Sequence, residues 1–252
     1  MNRIQLSSIN LKELEYLSRL RGGESTLYKS NHDFIKIYHE SVDKKRKMQA
    51  LVSLDGVKID NVIIPHTIIE TDGYEEQAAG CIMDFYPKAK KLVDFFDEYG
   101  GDSGTDIFIA LMRNASLTLR EIHENGFVCG DISFTNLLYL PDFTHLFCDF
   151  DGITINGIGP ESRTLDQYRS RRWMNDPLDT NSDKISLYLM FLCGVCEDSF
   201  VSESEYESFF WKYSFLEDAN SVYYDVFKSI RHHPNIPYLD EIIPSSYKLI
   251  KK

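Results

Sequence analysis

The sequence has no long uninterrupted apolar run. Its most apolar stretch, around Ile185 to Val195, is too short and too interrupted to span a bilayer, so no membrane span is expected. The first twenty residues carry polar side chains every two or three positions and lack the apolar segment of a secretory signal peptide. These absences predict a cytoplasmic protein.

Basic charge is scarce as well. The 27 lysines and arginines are outnumbered by 39 aspartates and glutamates, which gives a formal net charge of −12. Nucleic acids and anionic membranes are bound through clustered Lys and Arg, so neither is an expected partner. ATP is not excluded, because a few local cations and a metal ion can hold its phosphates.

Cysteine is too sparse for a disulfide framework or a cysteine zinc site. The chain has five cysteines, an odd number, and the CxxC of Cys193 and Cys196 has no second CxxC to complete a metal site. This pair lies in an apolar, helix-like segment. We therefore interpret both residues as reduced core thiols rather than as a redox or zinc motif.

The remaining composition is that of a folded globular protein, with 43 % hydrophobic residues, and the 252 residues suit one large domain or two small lobes. The first third is predicted to be mostly strands, and the chain beyond the break at Tyr86-Pro87 is predicted to be mostly helical. The predicted elements are a hairpin of Ser25–Lys29 and Asp33–Tyr38, a helix over 41–54, strands over 61–70 and 78–86, a helix from a Thr105 cap to Asn125-Gly126, strands over 137–140 and 146–150, and a buried helix over 182–196.

The residues that carry chemistry lie between positions 126 and 152. Asp131 is followed five residues later by Asn136, and Asp149 comes after the next apolar strand. Phosphoryl transfer needs Mg²⁺ near the phosphates and a carboxylate that orients the attacking hydroxyl and accepts its proton. Mg²⁺ prefers hard oxygen ligands, and the two strands would bring Asn136 and Asp149 to one edge. The alternative interpretation is a pair of surface turns rich in Asp and Asn.

This arrangement resembles the catalytic loop and the metal-binding loop of the protein kinase superfamily. Asp131 and Asn136 match the Asp-x4-Asn spacing, and Asp149-Phe150-Asp151 stands where the family has Asp-Phe-Gly, with the glycine one place late. The resemblance implies that Asp131 is the catalytic base and that Asn136 and Asp149 bind Mg²⁺.

The resemblance covers roughly residues 15 to 200 and implies an α+β, bilobal protein-kinase-like fold. The expected boundaries within the single domain of residues 1–252 are a small β-rich N-lobe over about 1–83, a hinge over about 84–87 and a helical C-lobe over about 88–252.

Lys36 lies in a hydrophobic segment, FIKIY, that resembles the third strand of the family, whose lysine pairs with the ATP phosphates. Phe34, Lys36 and Tyr38 are predicted to share one face of the strand, opposite Ile35 and Ile37. The alternative is an exposed edge-strand lysine that reaches water.

Two further segments correspond to ATP-binding parts of the family. Gly22 and Gly23 occupy the place of the glycine-rich loop, and the backbone amides of Gly23, Glu24 and Ser25 are expected near phosphate. The backbone of Asp84 and Tyr86 is expected to meet the adenine edge at the hinge.

The sequence departs from the family at several positions. Cys129-Gly130 precedes the catalytic aspartate where many protein kinases have His-Arg, and Ser133 replaces a common lysine. The helix glutamate that pairs with the strand lysine is not apparent, and Asp43 is the nearest carboxylate. Asp183, which opens the buried helix, resembles the aspartate that braces the catalytic loop.

The predicted function is that of an ATP- and Mg²⁺-dependent phosphotransferase, with an atypical protein Ser/Thr kinase preferred. A small-molecule kinase of the aminoglycoside or choline kinase type is the alternative, since those relatives also place glycine before the catalytic aspartate. A nucleotide-binding pseudokinase is a third possibility. The expected partner is a protein substrate or a small hydroxylated molecule. An acidic or phosphorylated protein segment is one option, because four arginines precede the buried helix: Arg163, Arg169, Arg171 and Arg172. The alternative is that these arginines pair with the nearby acidic residues and only hold their own segment in place: Glu161, Asp166, Asp176 and Asp179.

Overall fold

The computed structural model describes residues 1–17, 23–155, 178–196 and 236–243, which form an α+β fold. The strands in these ranges are β1 (Asn2–Gln5), β2 (Glu15–Tyr16), β3 (Ser25–Ser30), β4 (Asp33–Tyr38), β5 (Thr67–Thr71), β6 (Tyr74–Asp84), β7 (Lys90–Lys91), β8 (Phe127–Val128), β9 (Leu137–Tyr139), β10 (His145–Phe147) and β11 (Thr154–Ile155). The α-helices are α1 (Lys44–Ser53), α2 (Phe95–Glu98), α3 (Asp102–Glu124), α4 (Thr180–Cys196) and α5 (Leu239–Ile242).

Six strands form one sheet in the order β1-β5-β6-β4-β3-β2, in which only β1 and β5 are parallel neighbours. The predicted hairpin is confirmed as β3 and β4, which join through a turn where Asn31 has φ 48°. Phe34 and Tyr38 pack on the face of the sheet that α1 covers, and Ile35 and Ile37 pack on the opposite face. The predicted alternation along β4 is therefore confirmed.

Helix α1 is shorter than predicted because its start is fixed by a cap. The side chain of Asp43 accepts hydrogen bonds from the backbone N–H groups of Lys45 and Arg46, each at 3.1 Å. These bonds satisfy two of the donors that a helix start leaves open. The cap sets which lysines of α1 face the core, and Lys47 is one of its buried residues.

The prediction that Thr105 caps the long helix is wrong. Helix α3 begins at Asp102 after Gly101, whose φ of 85° suits only glycine, and Thr105 lies inside the first turns with its hydroxyl donating to the Gly101 carbonyl at 3.1 Å. The predicted end is confirmed, since Asn125 terminates α3 and Gly126 follows with φ 83°.

The strand predicted over 61–70 is only partly present. Residues 67–71 form β5, whereas the preceding segment turns toward β10, with Ile63 N–H donating to the Phe147 carbonyl and Phe147 N–H to the Asn61 carbonyl, both at 2.8 Å. This pairing links distant parts of the chain, which is why the local pattern misplaces the strand. It also ties the sheet to the strand that leads into Asp149.

The largest core cluster lies among the helices. Helix α4 is apolar almost all round, and Leu187, Tyr188, Met190 and Phe191 are each at most 1 % exposed, which confirms the predicted buried helix. Within the described ranges, no helix combines the length and the apolar character required to cross a membrane.

Candidate active site

A cavity of about 850 Å³ lies between the six-stranded sheet and the loops that follow α3. Its volume is within the range of roughly 300–1,000 Å³ that small-molecule sites occupy. Of the predicted site residues, these line the cavity: Gly23, Ser25, Lys36, Asp84, Tyr86, Asp131, Asn136 and Asp149. Gly22 and the four arginines lie outside the described residues.

Asp131 is placed by a loop between β8 and β9. Gly130, at φ 76°, turns the chain directly before it, a conformation that disfavours the arginine found there in many kinases. The Asn136 side-chain amide donates to the carbonyl of Asp131 at 3.0 Å and to its carboxylate at 2.8 Å. The Asp-x4-Asn spacing thus closes a loop in which the two side chains touch.

Asn136 and Asp149 are brought to one edge by the pairing of β9 with β10. Leu137 lies opposite Phe147, and the N–H of Cys148 donates to the Asn136 carbonyl at 3.0 Å. Asp149 then adopts a left-handed conformation, φ 65°, from which the chain enters a 3₁₀ turn over Phe150–Gly152. Aspartate tolerates this region better than most residues, though at some cost.

Lys36 projects from β4 into a group of carboxylates. Its ammonium donates to Asp149 and, at 2.8 Å, to Asp151. Burial lowers the pKa of Lys36, but Asp151 and Asp149 outweigh it, and the pKa is raised well above its ordinary value. Gly80 on β6 permits this arrangement, because a Cβ there would collide with the Lys36 carbonyl.

Asp151 and Lys47 are the functional candidates that sequence reasoning missed. Asp151 is fully buried and accepts from Lys36 and, at 2.6 Å, from the Tyr38 hydroxyl, and the Lys47 ammonium lies 3.5 Å from it. Burial opposes ionisation, yet Lys36 and Lys47 hold the pKa of Asp151 well below its ordinary value. The available signal was Lys47, whose spacing from Met48 and Leu51 puts it on the apolar side of α1.

Asp43, the carboxylate nearest to the place expected for the helix glutamate, has another role. Asp43 is exposed and caps α1, so it does not pair with Lys36. Lys36 pairs instead with Asp149 and Asp151, which follow β10.

A second buried aspartate holds the loop before Asp131. Asp183 on α4 accepts from the backbone N–H of Cys129 at 2.7 Å and of Gly130 at 2.8 Å. His123 of α3 lies 3.0 Å from the same carboxylate through Nε2, and its Nδ1 lies 2.9 Å from the Tyr238 hydroxyl. Asp183 thus lies where a bracing residue was predicted.

Apolar side chains also line the cavity, among them Leu27 of β3, which lies opposite Lys36, and Met83 of β6. Asp84, the last residue of β6, and Tyr86 line it as well. Phe85 N–H donates to the His32 carbonyl at 2.7 Å, which fixes the chain as it leaves the sheet. Apolar side chains of this kind can pack against an aromatic ring.

The donor set suits Mg²⁺ bound together with a phosphate ligand. Among the described residues, no cluster of three or more His, Cys, Asp or Glu could hold a metal by itself. Asn136 and Asp149 offer hard oxygens, and Mg²⁺ commonly takes only one or two protein ligands beside phosphate. Burial, followed by the nearby Asp149, raises the pKa of Asp131 to about 6.

No known protein-family profile matches the chain, and a search of curated proteins finds no match either.

Proposed function

We propose that the chain is an ATP- and Mg²⁺-dependent phosphotransferase with a bilobal, protein-kinase-like fold. The observation that carries this proposal is the convergence of Lys36, Asp131, Asn136 and Asp149, from separate segments, on one cavity that apolar side chains also line. Surface turns rich in Asp and Asn would not bring a buried lysine and this set of oxygen ligands together.

Each residue has a role that follows from its place. Lys36 binds phosphate oxygens, and its ammonium stays charged because carboxylates surround it. Asn136 and Asp149 hold Mg²⁺, which neutralises charge on the phosphates when bound. Asp131 orients the acceptor hydroxyl and takes its proton, while Asn136 fixes the carboxylate by a hydrogen bond at 2.8 Å.

The buried ion pair of Lys36 favours an active enzyme over a nucleotide-binding pseudokinase. A lysine left without a carboxylate partner would favour a degraded site, but Asp151 supplies a carboxylate 2.8 Å from the Lys36 ammonium. The acceptor that we propose is a protein Ser or Thr hydroxyl, with a small hydroxylated molecule as the alternative that the same chemistry serves.

The test is transfer of labelled phosphate from ATP with Mg²⁺, offered generic proteins in one set of reactions and small hydroxylated compounds in another. Asp131→Asn should keep ATP binding and lower turnover by about a hundred- to ten-thousand-fold, the range of general-base contributions. Asp97→Asn, an exposed aspartate on α2, is the matched control and should retain full turnover. Full turnover in Asp131→Asn would remove the assignment.

A further inference from the structure

Helix α1 places a lysine, rather than a carboxylate, against the cavity. Lys47 lines the cavity beside Lys36, and its side chain is only 4 % exposed. Both ammonium groups lie near the ring of Tyr38, at 5.3 Å (Lys47) and 5.9 Å (Lys36) from its centre. Buried lysines are rare unless they have partners, so the partners of Lys47 indicate its role.

The carboxylate of Asp151 lies close to the ammonium groups of both lysines. One of its oxygens lies 2.8 Å from Lys36, and the other accepts from the Tyr38 hydroxyl at 2.6 Å. Lys47 lies 3.5 Å from that second oxygen, beyond the usual length of an N–H···O hydrogen bond. Asp151 therefore attracts Lys47 by charge, while its closest hydrogen bonds go to Lys36 and Tyr38.

The closer partner of Lys47 is Glu24, which borders the cavity next to Gly23. The ammonium lies 3.0 Å from the Glu24 carboxylate, and the Glu24 side chain is 56 % exposed. A half-exposed carboxylate can turn to water at little cost, so an incoming anion can take its place on Lys47.

We propose that Lys47 is a second phosphate-binding cation, positioned together with Lys36 by Asp151, for the polyphosphate end of a nucleotide. This inference rests on the proposed function, and it names a residue that the resemblance does not provide. An ammonium binds phosphate as a point charge, and at a buried position such as that of Lys47 its attraction to phosphate is stronger than at the surface. Asp151, Asp149 and Glu24 balance the charge of the two lysines before a ligand arrives. Both ammonium groups are already largely buried, so binding requires little further desolvation of them.

The test measures the affinities for Mg-ATP and for adenosine by calorimetric titration. The ratio of the Mg-ATP affinity to the adenosine affinity isolates the contribution of the phosphates. Lys47→Met keeps the apolar stem and removes the charge. It should reduce the ratio by about ten- to a hundred-fold, the loss expected for one hydrogen bond to a charged group, and leave adenosine affinity unchanged. Lys45→Met, on the exposed side of α1, is the matched control and should leave both affinities unchanged.

Other results overturn the inference. A ratio unchanged in folded Lys47→Met shows that Lys47 does not meet phosphate, and an equal loss for adenosine and ATP assigns it to the shape of the cavity. If neither Lys47→Met nor Lys47→Gln gives a folded protein by circular dichroism, Lys47 belongs to the fold alone. When the unaltered chain binds Mg-ATP, these results leave the proposed function standing; absence of nucleotide binding by the unaltered chain overturns both.

Discussion

Two buried clusters in this molecule are each built around an aspartate, and their partners differ. The cavity cluster consists of Lys36, Tyr38, Lys47, Asp149 and Asp151, and its central Asp151 is fully buried. The brace cluster has Asp183 at its centre, 1 % exposed, with the residues His123 and Tyr238 and the backbone of Cys129 and Gly130.

The partners show which cluster is built to meet a ligand. Asp183 is held by backbone N–H groups and by an imidazole whose other nitrogen bonds to Tyr238, so a soluble ligand can replace none of its partners. Asp151 is held by lysines that themselves line the cavity. A buried aspartate is therefore not in itself a sign of a ligand site, whereas buried cations that face a cavity are positioned to meet an anionic ligand.

The largest expected effect separates the two clusters by stability. Asp183→Ala leaves two backbone donors and His123 without their acceptor and should lower the free energy of unfolding by about 3–5 kcal/mol. Asp149→Asn should change it by less than about 1 kcal/mol, since Lys36 keeps Asp151 and functional residues are seldom optimised for stability. Urea unfolding followed by circular dichroism measures both.

Asp97→Ala, at an exposed position, is the control for the aspartate substitutions and should match the unaltered chain. Equal losses from Asp183→Ala and Asp149→Asn would abolish the distinction between a structural and a ligand-facing cluster.

A smaller effect comes from a buried polar pair outside both clusters, His145 and Thr118, whose side chains lie 2.8 Å apart. Burial lowers the pKa of His145 to about 4. Below pH 6.5 His145 is protonated in the unfolded chain, whereas in the folded chain it stays neutral down to about pH 4. The free energy of unfolding therefore falls as the pH decreases from 6.5 to 4, by up to about 1.4 kcal/mol per pH unit. Above pH 6.5 the residue contributes no pH dependence.

His145→Asn should flatten that slope relative to the unaltered chain, measured by urea unfolding at a series of pH values between 4 and 7. His32→Asn, at an exposed histidine, is the control and should leave the slope as it is. An unchanged slope in His145→Asn would mean that the imidazole is not held neutral by burial.

Several features of the fold and of the candidate site could be predicted from the sequence. The alternation along β4, the hairpin that brings Asn136 to Asp149 and the buried character of α4 follow from local patterns, and the structure confirms them as geometry. The chemical roles of these residues stay predictions.

What the sequence did not predict depends on long-range or backbone detail. The contact between Asp151 and Lys36 depends on the left-handed conformation of Asp149, and no local sequence pattern indicates that conformation. The path of residues 61–66 is decided by pairing with Phe147, far along the chain. The buried position of Lys47 could have been predicted, because the helical spacing puts this lysine on the same side of α1 as the apolar residues.

The central claim is that the cavity binds ATP through a metal held by Asp149, and calorimetric titration with ATP tests it most directly. The account predicts binding in the presence of Mg²⁺ that weakens strongly in EDTA, and a loss of about ten-fold or more in folded Asp149→Asn, equivalent to at least about 1.4 kcal/mol. Equal affinity with and without Mg²⁺, unchanged in Asp149→Asn, would contradict it, as would the absence of any binding to the unaltered chain.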